Sequence, residues 1–179
     1  MSPPKLLNNV KFLQKCIVVG KDGKILALRR DPNDVRRPNC WDFPGGNYEA
    51  GETVDECIKR EIREETGLEA KSVRPFYIAS NMGKTYQDIN VIAVCQVCLD
   101  WEGLPAKATD TRNGQIGSLR EVNVASEGEV VLSDEHVEYR WVVPDEFMKL
   151  ETGDDGGFLK ASLHAYLTIP SSARALPKQ

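Results

Sequence analysis

The chain has 179 residues, of which 41% are hydrophobic and 28% charged, with a formal net charge of −4. That length supports one domain with a core of its own and leaves no room for two of ordinary size. The mild acidity excludes a broad basic face, so extended nucleic acid and anionic membrane surfaces are not expected partners, and a small anionic substrate would need a local device such as a metal. Five cysteines at scattered positions, with no signal-peptide pattern and no apolar run of membrane-spanning length, point to reduced thiols and a cytoplasmic setting.

Residues 1–10, with two prolines, read as a loose lead-in to a single domain over 11–170, followed by a flexible tail over 171–179. Two β-rich runs, Cys16 to Val19 and Ile25 to Leu28, flank Lys21-Asp22-Gly23-Lys24, and Asp-Gly predicts that they form one hairpin. Arg29, Arg30, Arg36 and Arg37 then cluster around a polar loop from Asp31 to Asn39. A solvated loop explains such a cluster, and so does a phosphate-binding role for Arg29 or Arg30, because the guanidinium fork suits phosphate oxygens. Trp41 to Phe43 reads as a short strand entering the turn Pro44-Gly45-Gly46, where glycines allow close backbone approach.

One helix follows. Thr53 with Glu56 three residues on is a capping box, and Gly67 fits the left-handed residue past the C-terminus, so the spacing predicts a helix from Val54 to Thr66. On a helical wheel with Cys57 at zero, Val54, Ile58 and Ile62 span an arc from roughly 60° to roughly 140° that should face the core. Glu61 and Glu65 fall at roughly 40° and roughly 80°, inside the inward half, and Glu64 lies at its edge at roughly 340°. A surface helix laced with ion pairs such as Arg60 with Glu64 would explain the glutamates. The inward placement argues otherwise, because an ionised carboxylate turned to the interior costs several kcal/mol without compensation. Clustered hard oxygen donors at this spacing suit Mg²⁺ or Mn²⁺.

Beyond the helix, Ser72 to Ser80 and Thr85 to Leu99 read as strands joined near Asn81 to Lys84, the second apolar enough to be central. Cys95 and Cys98 form a C-x-x-C pair, but on a strand they face opposite sides, against a zinc or redox role. Trp101 to Gly128 reads as a long irregular insert, with a weak strand near Leu119 to Val124. Glu138 to Val143 reads as a strand, Pro144 to Leu150 as a short helix, and Phe158 to Leu167 as a terminal amphipathic helix. The element order is that of an α+β or α/β domain.

Gly46, Glu52, Arg60, Glu61, Ile62, Glu64, Glu65, Gly67 and Leu68 match the pattern G-x5-E-x7-R-E-U-x-E-E-x-G-U, with U aliphatic, at all nine positions. The stretch resembles the box of the Nudix, or MutT-like, hydrolases. The resemblance implies an α/β/α sandwich, a mixed β-sheet flanked by helices, and hydrolysis of a nucleoside diphosphate linked to another group. It also implies Glu64 and Glu65 as Mg²⁺ ligands, Glu61 as a third ligand or the general base, and a Gly45 carbonyl completing the metal shell. Arg60 would orient neighbouring carboxylates, foremost Glu52. Arg30 or Arg29 resembles the family's strand-end arginine that touches substrate, and Glu135 and Glu138 are secondary candidates. A nucleoside triphosphate cut to a monophosphate and pyrophosphate is the first expectation. Dinucleoside polyphosphates, for which Tyr86 is the pointer, nucleotide sugars and ADP-ribose are alternatives, as is a nucleotide sensor without turnover. A homodimer is compatible with these readings.

Overall fold

The computed structural model describes residues 10–81, 90–103, 130–153 and 157–174. Strands β1 (Val10–Val18), β2 (Ile25–Arg30) and β3 (Trp41–Asp42) precede helix α1 (Val54–Thr66), followed by β4 (Leu68–Asn81), β5 (Asn90–Gly103) and β6 (His136–Val142). Helices α2 (Pro144–Phe147), α3 (Phe158–Thr168) and α4 (Ser171–Arg174) end the described chain. The strands form two three-stranded sheets, in the orders β1-β5-β4 and β3-β2-β6. In the first, β5 is central, parallel to β1 and antiparallel to β4. The second is antiparallel throughout.

This corrects the expected hairpin. The turn at Gly20 to Lys24 forms, with the Gly20 amide donating to the Lys24 carbonyl at 2.8 Å and the Gly23 amide to the Gly20 carbonyl at 2.9 Å. The strands on either side meet only through a bridge between Val19 and Ile25, then part into different sheets. Several boundaries differ from the sequence reading, among them that of β1, which reaches back to Val10 in the expected lead-in, and three more bear on the packing. β4 begins at Leu68 rather than Ser72, running straight on from the helix cap, and β5 continues through Trp101 to Gly103, where an insert was expected. Trp101 earns that place by stacking on Trp141 at 5.3 Å and donating its indole N–H to the Val19 carbonyl at 2.9 Å. The third is Ser171–Arg174, expected in the tail, which forms a helical turn with the Arg174 guanidinium over the Tyr166 ring. The weak strand near Leu119 to Val124 and the turn after Asn81 lie outside the described residues.

Side-chain alternation builds two cores, one on each face. Along β1, Cys16 and Val18 join Ile58 and Ile62 of α1, whereas Ile17 between them joins Leu159 and Leu163 of α3. Ile58 and Ile62 are fully buried, each contributing roughly 1.5–3 kcal/mol of burial. That packing fixes the rotation of α1 and so decides where its glutamates point. Cys95 and Cys98 fall in opposite cores, as their spacing on a strand requires, and all five cysteines are free and buried. Pro75 is tolerated in β4 because that strand lies at a sheet edge, where a missing N–H and a shifted register cost little. Among the described residues, no helix is long and apolar enough to cross a membrane.

Candidate active site

Both helix ends form as the sequence predicts. The Thr53 hydroxyl accepts from the Glu56 amide at 3.3 Å, the Glu56 carboxylate accepts from the Thr53 amide at 2.8 Å, and Gly67 adopts φ 66°. Cys57, Ile58 and Ile62 are buried, and with them Glu65, which is 6% exposed. Glu61 is 13% and Glu64 29% exposed, the gradient the wheel gives. Val54, the first residue of the helix, departs from it at 41% exposed. Its carbonyl nevertheless accepts from the buried amides of Gln14 at 2.9 Å and Gln96 at 3.2 Å, which pin the helix start to β1 and β5.

Arg60 gathers the carboxylates of this helix and its approach. Its Nε and Nη2 form a fork on Glu52, at 2.5 and 3.0 Å, and Nη2 also donates to the Asn47 carbonyl at 3.0 Å. Nη1 reaches Glu61 Oε1 at 2.9 Å and Glu64 Oε2 at 3.0 Å. The guanidinium hydrogen bond holds the Glu52 carboxyl down to about 2. Burial acts the other way on Glu61, raising its carboxyl despite Arg60 beside it. The predicted orienting role of Arg60 toward Glu52 therefore has a geometric basis.

The glycine turn lies against this cluster. Gly45 has φ 132°, and a Cβ there would collide with the Gln14 carbonyl and sit 2.9 Å from Lys15 Cα. Its amide donates to Glu65 Oε2 at 2.9 Å, and its carbonyl accepts from Lys15 Nζ at 2.5 Å. A Cβ on Gly46 would lie 2.7 Å from Glu61 Oε1, so that glycine makes room for a carboxylate. Lys15 is 3% exposed and also contacts the Phe43 carbonyl at 3.1 Å and Asp42 Oδ2 at 2.9 Å. Asp42 is fully buried and takes Arg37 and, at 3.5 Å, Arg30 as further partners. Burial pushes its carboxyl up, yet the three cations outweigh that and leave it lowered. Glu65 receives only the charge of Lys15 and the Gly45 amide, which do not offset its burial. Burial raises its carboxyl to about 8, and among the described residues it has no ion-pair partner.

The candidate substrate arginines are tied into the protein. Arg29 pairs with Glu138 at 3.0 Å, joining two predicted site residues, and Arg30 bridges Asp34 at 2.5 Å and Asp42. Arg36 and Glu135 line one surface cleft with Arg30, Asp31, Asp34 and Asp134, apart from the box glutamates. Tyr86 lies outside the described residues. Sequence reasoning missed Lys15 and Asp42, although each is a charge inside an apolar run, Lys15 before Cys16-Ile17-Val18 and Asp42 between Trp41 and Phe43. It also missed His136, 4% exposed with both ring nitrogens unpartnered among the described residues, whose imidazole burial pushes down to about 4.

Among the described residues no three acidic, histidine or cysteine side chains already converge on one point, since Arg60 draws Glu61 and Glu64 to itself. The donor set still fits a hard divalent cation. A buried carboxyl raised by desolvation, a second carboxyl cradled on a glycine and a turn carbonyl are all oxygen donors that such an ion favours.

Comparison with known proteins agrees with this geometry. The family model described as NUDIX domain matches residues 15–161. An ADP-ribose pyrophosphatase of Methanocaldococcus jannaschii is 37% identical over 82 residues, 45% of this chain and 47% of that protein, so the chain spans under half that relative's length. The nucleoside triphosphatase NudI of Enterobacter sp. (strain 638) is 30% identical over 107 residues, 58% of this chain and 76% of that one. A NUDIX hydrolase structure from Nitrosomonas europaea shares the fold at TM-score 0.65 and 14% identity, covering 94% of this chain and 93% of its own. The fold is thus of the α+β class, with the carboxylate helix of the box set against its glycine turn. The chain belongs to the NUDIX family.

Proposed function

We propose that this protein is a divalent-cation-dependent pyrophosphohydrolase of nucleoside diphosphate derivatives, and that it cuts a nucleoside triphosphate, ordinary or oxidised, to a monophosphate and pyrophosphate. The observation that carries the reading is Glu65, a buried carboxylate without an ion pair, hydrogen-bonded to the glycine turn beside Glu61 and Glu64. Such a group is costly to keep unless a cation completes it. Glu64, Glu65 and the Gly45 carbonyl would hold Mg²⁺ or Mn²⁺, with Glu61 at the edge of the same set. When bound, the cation neutralises the diphosphate and stabilises charge on its oxygens.

The chain's own groups divide the remaining work. Water oxygen adds to phosphorus as the phosphoanhydride P–O bond breaks, and the water's proton goes to Glu61. Burial raises its carboxyl, which favours taking up that proton, and unlike Glu65 it is not tied to the Gly45 amide. Arg60 holds Glu61 and Glu64 at 2.9 and 3.0 Å while Glu52 anchors Arg60, so it acts as a positioning residue. The family relationship supports the reaction class, and the NudI relative, named a nucleoside triphosphatase, supports the first substrate choice through its longer match. The M. jannaschii relative favours a second reading, ADP-ribose, on higher identity over a shorter stretch.

A panel of nucleoside triphosphates, ADP-ribose, dinucleoside polyphosphates and nucleotide sugars, assayed with Mg²⁺ for phosphate and pyrophosphate release, separates these substrates. Glu64→Gln, whose side chain is part-exposed, keeps the fold and is expected to lower turnover by at least about 100-fold, the scale of losing one group that acts in the transition state. Unchanged turnover in that variant removes the proposed site. Tight nucleotide binding without turnover would make the protein a sensor instead.

A further inference from the structure

Lys15 is unusual for a residue in the middle of a packed strand. It is 3% exposed, and all three of its ammonium protons are used, on Gly45 O at 2.5 Å, Phe43 O at 3.1 Å and Asp42 Oδ2 at 2.9 Å. Asp42 does not need it for neutrality, because Arg37 and Arg30 also reach the same carboxylate. The other two ammonium bonds go to carbonyls on either side of Pro44, and one of these is the Gly45 oxygen assigned above to the metal. Gly45 is thereby committed twice, its amide to Glu65 and its carbonyl to Lys15. The charge of Lys15 is also felt by both Glu61 and Glu65, where it favours the ionised forms.

We propose that the Lys15 ammonium is a resident cation of the metal site, which holds the Gly45 carbonyl and must release it before a divalent ion can take that oxygen. This rests on the reading that Glu64, Glu65 and Gly45 bind such an ion. Two cations on one carbonyl oxygen repel, so the ammonium and the metal compete for it. Lys15 keeps Phe43 and Asp42 as partners when it withdraws, so the exchange moves one side chain and leaves the turn in place. The consequence is a site in which an internal charge held beside the carboxylates weakens metal binding.

The test is Mn²⁺ binding to the full chain without nucleotide, by calorimetry and by electron paramagnetic resonance of free Mn²⁺, in the parent and in Lys15→Gln. The variant keeps a donor but loses the charge, and about tenfold tighter Mn²⁺ binding is expected, equivalent to about 1.4 kcal/mol. In the parent, the ¹⁵Nζ resonance of Lys15 is expected to shift as Mg²⁺ saturates the site. Unchanged or weaker Mn²⁺ binding by a natively folded variant overturns the proposal while leaving the metal site standing. If the variant does not fold, a Lys15 resonance that stays still at saturating Mg²⁺ overturns it in the parent alone. Absence of Mn²⁺ binding in both proteins overturns the metal site itself, and this inference with it.

Discussion

Replacing each of the adjacent glycines by alanine should separate folding from function. At Gly45 the backbone has φ 132°, and the new Cβ would run into the Gln14 carbonyl and Lys15 Cα, which are main-chain atoms of β1. That strand cannot yield locally. The Gln14 amide donates to Gly46 O at 2.9 Å and the Cys16 amide to Pro44 O at 2.8 Å, and the next bonds along β1 tie it to β5. Strain at such a φ costs about 1–3 kcal/mol, and forced overlap adds a similar amount, so Gly45→Ala should lose on the order of 3 kcal/mol or more. For a chain of this size that lowers Tm by roughly 10 °C. At Gly46 the obstacle is the mobile end of a side chain, Glu61 Oε1 at 2.7 Å, and the backbone does not have positive φ. The carboxylate can retreat by roughly 0.5–1 Å at little cost in stability, but a displacement of that size costs about 100-fold in rate when the group must meet its proton in line. Gly46→Ala should therefore melt within about 3 °C of the parent and lose about two orders of magnitude in kcat. Thermal melts by circular dichroism and steady-state nucleotide hydrolysis measure both. A Gly46→Ala enzyme with turnover near the parent's would refute the placement of Glu61, and a Gly45→Ala protein as stable as the parent would refute the strain.

Two further substitutions test the charges. Arg60→Lys keeps the charge but cannot reproduce a fork on Glu52 together with bonds to Glu61 and Glu64, so kcat should fall about 10- to 100-fold with little change in KM, and stability by about 1–2 kcal/mol. Full activity in the lysine variant would reduce Arg60 to a surface cation. Glu65→Gln should abolish metal binding yet stabilise the metal-free fold, because the parent carboxyl sits at about 8 in the fold against an ordinary 4.5. A folded value above the unfolded one contributes stability that is complete below pH 4.5 and lost as pH rises through 8. The advantage of the variant thus opens above pH 4.5 and levels off beyond 8, at no more than about 5 kcal/mol given roughly 1.4 kcal/mol per pH unit, less what the new amide protons leave unmet. Urea denaturation of both proteins across that range reads it directly, and a gap that narrows with rising pH would contradict the buried carboxylate.

The helix was readable from the sequence because everything that defines it is local. Thr53, Glu56 and Gly67 act within one turn of each end, and the 3.6-residue period places Glu65 inside and Glu64 at the edge without knowledge of any other element. The hairpin was misread for the opposite reason. Asp22-Gly23 dictates that the chain reverses, but which strand receives the hydrogen bonds depends on β5, more than 70 residues away, whose parallel pairing with β1 leaves no local trace. Val54 shows the same limit in miniature, because a wheel assigns a face to every residue and does not know which of them a neighbouring element will cover.

The site itself was half readable, and the missing half is what connects its parts. Arg60 collects Glu52, Glu61 and Glu64 around one cation, and Asp42 collects Lys15, Arg30 and Arg37 around one anion. The first hub lies within the box, where spacing shows it. The second joins β1, β2, β3 and the loop after Arg30, so no spacing in the sequence connects its members, even though Lys15 and Asp42 each stand out as a charge in an apolar run. Between the hubs runs the glycine turn, with Gly46 against Glu61, the Gly45 amide on Glu65 and the Gly45 carbonyl on Lys15. Of the two buried carboxylates among the described residues, Asp42 has three cations in ion-pair contact, whereas Glu65 has no ion pair and feels Lys15 only at a distance. That the fold surrounds one buried acid with three cations, while leaving most of the desolvation cost of its neighbour unmet, is the contrast on which the proposed metal role of Glu65 rests.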